Sequence, residues 1–121
     1  MTYEFYKFIH MMGLMFLFFG FGGLLVSLYS QPEMKKQARM MAFATHGLGL
    51  LLMIFGGFGM AAKMGLMGHL PGWIHAKIAI WVLMALAISV VKRKASLGWS
   101  LVILLVGLGS TAAYLAINKP F

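Results

Sequence analysis

Four apolar runs, each about as long as a bilayer crossing, fill this chain and leave only short polar loops between them. They are Phe8 to Tyr29, Met40 to Ala62, Trp73 to Val91 and Leu97 to Ile117. The hydrocarbon core of a membrane takes roughly 20 apolar residues per helix, so four crossings use nearly all of the 121 residues. In lipid every backbone N–H and C=O must find its partner inside the protein, which restricts crossings to helices and closed barrels. No run alternates with the strand period of two. The sequence therefore predicts an all-α fold, an integral membrane four-helix up-down bundle. It is one domain over 1–121, with helices at about 3–29, 38–62, 73–92 and 97–117.

Punctuation and charge set the topology. Lys7 before the first run resembles the start of a signal peptide, but the run exceeds the usual signal core and carries no A-x-A-like cleavage site. It is expected as a retained helix, with Tyr3 and Tyr6 as interfacial anchors. Pro32 punctuates the first loop, and Pro71-Gly72 forms a turn before the third run. Lys35, Lys36 and Arg39 follow the first run, and Lys92, Arg93 and Lys94 close the third. The second loop holds only Lys63, and the two ends of the chain hold Lys7 and Lys119. The positive-inside rule predicts cytoplasmic first and third loops, with both termini extracytoplasmic, in an inner cell membrane.

The composition excludes several functions. With no cysteine, disulfides, thiolate metal sites, iron–sulfur clusters and c-type haem attachment are ruled out. Glu4 and Glu33 are the only carboxylates, so there is no acid pair and no Ser–His–Asp set. The net charge of +8 reads as loops facing anionic lipid, not as a nucleic-acid surface. Redox chemistry needs the fewest protein side chains, because a cofactor performs it.

Three of the four histidines, His10, His46 and His75, stand inside apolar runs, where ionisable groups are costly and tend to mark function. Histidines on facing helices can ligate a haem iron. His10 and His75 both open helices on the extracytoplasmic side and form the better pair. His46 opens a helix that runs the other way, roughly 10 Å in from the opposite surface at ~1.5 Å per residue. It would serve a second or alternative site. His69 reads as a solvated loop residue.

Trp73 and Lys77, four residues apart, share a helix face, whereas His75 and Lys77 point to nearly opposite faces. Only one of His75 and Lys77 can aim into the bundle. Lys77 either pairs with a haem propionate or relays protons, or it snorkels to the surface beside Trp73. His10-x-x-Gly13-x6-Gly20 recurs as His46-x-x-Gly49-x6-Gly56. Each set forms one helical stripe. The stripes could hold a flat ring against backbone under a histidine, or simply let helices pack. Twelve methionines, with Met11, Met12 and Met15 around His10 and Met60, Met64 and Met67 before His69, suit either Cu(I) binding or apolar filling.

Pro71-Gly72-Trp73-Ile74-His75-Ala76-Lys77 resembles the Gly-Trp-x-x-x-Lys segment of the HemJ-type protoporphyrinogen oxidases, and Lys7-Phe8-Ile9-His10 resembles their first-helix histidine. The chain is also similar to the SirB family in His10, His46, Trp73, Lys77 and the ending Lys119-Pro120-Phe121. CopD-like proteins share the four-helix, histidine-bearing layout. The oxidases' Tyr-Leu-Pro-Arg segment is not found at the end of the first helix, where Val26 to Ser30 stands. The resemblance implies a small membrane protein associated with haem b. Its activity would be oxidation of a porphyrinogen, with electrons passing to the quinone pool.

The expected function is thus haem b binding and electron transfer, with His10 and His75 as axial ligands. His46, Lys77, Trp73, Gly13 and Gly49 complete the cofactor site. The alternatives are a copper-handling protein, or a cofactor-free subunit of a larger membrane complex. A homodimer is a further possible assembly.

Overall fold

A computed structural model describes residues 1–31 and 33–121, so the expected break at Pro32 lies outside the described residues. Helix α1 spans Tyr3–Ser30, α2 Lys36–Lys63, α3 Gly72–Lys94 and α4 Trp99–Asn118. A single 3-10 turn, Ala95–Leu97, joins α3 to α4. No strand occurs among the described residues. The fold is all-α, and all four helices are long and apolar enough to cross a membrane.

Local chemistry explains the boundaries. Thr2 caps α1, its Oγ1 accepting from the Phe5 N–H at 3.1 Å. Pro71 fixes the extended backbone from which α3 starts. The fourth helix begins at Trp99 and not at 97, because Gly98 turns the chain with φ 56°, a conformation open to glycine. The ring of Tyr29 fills the space beside it, 2.8 Å from where a Cβ would stand. At 28 residues each, α1 and α2 are about 42 Å long at ~1.5 Å per residue, longer than the hydrocarbon core. The excess carries Lys7, Lys36 and Lys63 out of the apolar layer. The outer faces present Phe8, Leu51, Ile103 and Ile117, as lipid contact requires.

Helices α1 and α2 form the tightest pair, and the two glycine stripes face each other across it. A Cβ on Gly13 would lie 2.7 Å from the Gly49 carbonyl oxygen, and one on Gly49 would lie 2.5 Å from the Leu17 nitrogen. Gly20 meets Ala42 and His46, and Gly56 meets Tyr6 and His10, just as closely. Lipid supplies no hydrophobic force between helices, so this backbone contact is what binds them.

Helices α3 and α4 make a second hairpin. The hairpins meet over one half of the bundle only. Leu17, Phe21, Leu24, Met84, Ile88, Val91, Leu101 and Leu105 form the core there. This half ends at the six cations of the first and third loops, and is called the basic end. No Cα of α1 comes within 8 Å of any Cα of α4, and toward the other end, where the chain starts and finishes, a cavity lies between the hairpins.

The clasp makes a sharp prediction. Gly49→Ala should destabilise the chain by about 1–3 kcal/mol, the usual range for overpacking. Gly22→Ala and Gly23→Ala, with nothing within 4 Å of the added methyl, should show no loss. Thermal unfolding in detergent distinguishes them.

Candidate functional site

Side chains that reach across helices to backbone carbonyls organise the interior. The His10 Nδ1–H donates to the Met53 oxygen at 2.8 Å, tying α1 to α2. The His46 Nε2–H donates to the Met84 oxygen at 3.1 Å, tying α2 to α3. The Trp81 Nε1–H donates to the Leu50 oxygen at 3.1 Å, tying α3 back to α2. A carbonyl can only accept, so each contact fixes which ring nitrogen carries hydrogen.

His46 and His10 differ in what remains available. His46 is 3% exposed. Its ring stands edge-on to Phe21, with centroids 4.6 Å apart. It is a packed, hydrogen-bonded member of the core. His10 is half-buried and faces a cavity of about 430 Å³ between the splayed hairpins. In its neutral form the Met53 bond leaves Nε2 with a lone pair.

The cavity has an apolar body and a cationic mouth. Trp73, Trp81 and Met84 of α3 line one wall, and Met53, Gly57 and Ala61 of α2 another. Gly109, Ala112 and Ala116 bring α4 to it with little side-chain bulk. Lys7, Lys77 and Lys119 all line it, whereas neither Glu4 nor Glu33 does. Lys119 sits with Nζ 5.4 Å from the Trp73 ring centroid, a cation–π contact, and donates to the Ala116 oxygen at 2.8 Å.

The structure brings together His10, Trp73 and Lys77 of the expected site residues. It does not bring His75 to them. His75 is exposed and absent from the cavity wall, because two residues along a helix is about 200° of rotation at 3.6 residues per turn. Lys77 takes the inward position. Gly13 and Gly49 lie in the α1–α2 contact and not in the wall, since each fills the other's groove with backbone. No flat ring can lie there. His46 is packed in the core against Phe21 and is absent from the lining. Met11, Met60 and Met64 line the cavity, whereas Met67 and His69 do not. Among the described residues no three His, Cys, Asp or Glu side chains gather as a metal site.

Trp81, Lys7 and Lys119 join the site without having been expected there. A tryptophan in mid-span, far from the interfacial belt where tryptophans collect, was the available signal for Trp81. The two lysines read in sequence only as flanking charge, since nothing local connects residue 7 with residue 119.

Comparison with known protein families, curated proteins and solved structures finds no match for this chain. The fold and composition define it as a small four-helix membrane protein with a cation-rimmed internal cavity.

Hydrogen bonds between membrane helices contribute little each, averaging about 0.6 kcal/mol. His46→Phe keeps the ring and removes the bond. It should cost about 1 kcal/mol in detergent unfolding.

Proposed function

We propose that the chain binds b-type haem in this cavity, with His10 as the iron ligand, and passes electrons within the membrane. The observation that carries the reading is the His10 ring. Its Nδ1–H on the Met53 carbonyl fixes the tautomer and orientation, as carbonyls and carboxylates do for histidines that ligate metals. The free Nε2 is then the donor atom. The wall residues fit the rest of the group: aromatic and aliphatic side chains for the macrocycle, and Lys7, Lys77 and Lys119 for its two propionates. The thioethers of Met11, Met53, Met60, Met64 and Met84 line the same cavity and would be the candidates for a second iron donor. When bound, haem supplies one-electron chemistry. The fitting acceptor is a quinone dissolved in the bilayer, since the described residues form no domain outside it.

Charge supports an orientation. Lys35, Lys36, Arg39, Lys92, Arg93 and Lys94 gather at one end, and the positive-inside rule favours that end as cytoplasmic, with the cavity mouth on the opposite face of an inner membrane. The absence of native cysteine makes the test clean. Thr2→Cys should react with an impermeant maleimide in intact cells, and Ser96→Cys only after lysis. The reverse pattern would overturn the orientation.

The haem reading is tested by a reduced-minus-oxidised spectrum of the detergent-purified protein, with a pyridine haemochrome assay. One b-type haem per chain is expected. His10→Ala should abolish it and His75→Ala should leave it. Lys77→Gln should weaken haem binding about tenfold, the effect of losing one charge-assisted hydrogen bond. A colourless protein after haem supplementation sinks the proposal. Copper in that preparation would favour a second reading, in which His10 and the wall methionines hold Cu(I).

A further inference from the structure

We infer that the cavity is entered sideways, from within the bilayer, and that it selects amphiphiles carrying a carboxylate. The inference rests on the reading above for the place of the site, and not for iron.

The two sides of the cavity are not equivalent. Between α2 and α3 the connection from Met64 to Pro71 closes the end, and the Trp81–Leu50 hydrogen bond closes the middle. Between α1 and α4 no backbone approach exists. The first bridge on that side is Phe18, whose ring lies against Gly109, 3.1 Å from where a Cβ would stand. Above Phe18 the lips of the seam are Met11 and Leu14 from α1 and Ala112, Ala113 and Ala116 from α4. All are apolar, and the small residues on α4 keep the gap open. A seam of this kind opens onto lipid tails. A water-soluble ligand would have to cross them, whereas a solute of the bilayer is already there.

The polar groups determine what is kept. Three ammonium groups line the cavity and no carboxylate does. Lys77 and Lys119 line the same cavity as Trp73, with the Lys119 Nζ 5.4 Å from the Trp73 ring centroid. A cation held at membrane depth is costly without a partner. An acid group on the ligand is the counter-ion that both lysines lack. Along α1 the wall extends from Tyr3 to Leu17, about 20 Å at ~1.5 Å per residue. The cavity is therefore long, with its cations at one end and only apolar side chains at the other.

Tryptophan fluorescence tests this directly. Trp73 and Trp81 line the cavity, and Trp99, 77% exposed, lies at the basic end. The full chain carrying Trp99→Phe, prepared from haem-limited cells and placed in lipid nanodiscs, reports on the cavity alone. Dibrominated stearate is titrated against its methyl ester. Saturable quenching is expected for the acid, with the ester at least tenfold weaker. Lys77→Gln should erase that difference, and Ala112→Phe should abolish saturable quenching by obstructing the seam. Linear quenching that is equal for acid and ester would overturn the inference. So would saturable quenching unchanged by Ala112→Phe. Should that variant fail to fold, the Lys77→Gln comparison decides. The two readings fail separately. His10→Ala should lose haem and still take stearate. Haem bands without a preference for the acid would refute this inference alone, and a preference for the acid without haem bands would refute the haem reading alone.

Discussion

Every other feature of this molecule depends on the backbone contact between α1 and α2. In water two such helices would be driven together by burying apolar surface. In lipid that force vanishes, and close packing has to replace it. Gly13 and Gly49 supply it by having no Cβ: the partner's carbonyl or amide occupies the place where a methyl would stand. The contact also brings side chains of α1 within reach of carbonyls on α2. Only at this separation does His10 reach the Met53 oxygen and Phe21 meet His46. The hairpin is then a rigid body on which α3 and α4 are assembled.

The second hairpin docks less completely, and the incompleteness is what creates the cavity. Large aliphatic side chains fill the half nearest the basic loops, where Leu17, Leu24 and Val91 are fully buried. Toward the other end α4 presents glycine and alanine, and the space they leave is unfilled by protein. His46 and Trp81 each donate one hydrogen bond between α2 and α3. Bonds of this kind are too weak to hold a bundle together. Their contribution is orientation: they fix how α3 is rotated, and so which of its residues turn inward.

That rotation separates what could be read in advance from what could not. The four crossings were legible because lipid imposes one rule on every residue of a span. Their ends shifted by a residue or two where local chemistry decided, as at Gly98, whose positive φ moved the start of α4 to Trp99. The incompatibility of His75 and Lys77 was legible too, from helical period alone. Which of them faces inward was not, because the period fixes relative angles and says nothing about the absolute rotation of a helix. The paired glycine stripes were equally visible as stripes. Sequence left two uses open for them, and the structure spends them on helix packing.

By itself the sequence determined the class of molecule: four helices in a membrane, antiparallel, basic at one end, without thiols or paired carboxylates. These follow from the solvent and from residue type, and both act locally. Tertiary structure alone decided the membership of the site. Lys7, Lys77 and Lys119 belong to three different helix ends and meet only because two hairpins join at one end and splay at the other. His10 and His46, similar in sequence context, diverge for the same reason. One stands where the hairpins part and keeps a free nitrogen beside a cavity, and the other stands where they close and is buried in the core.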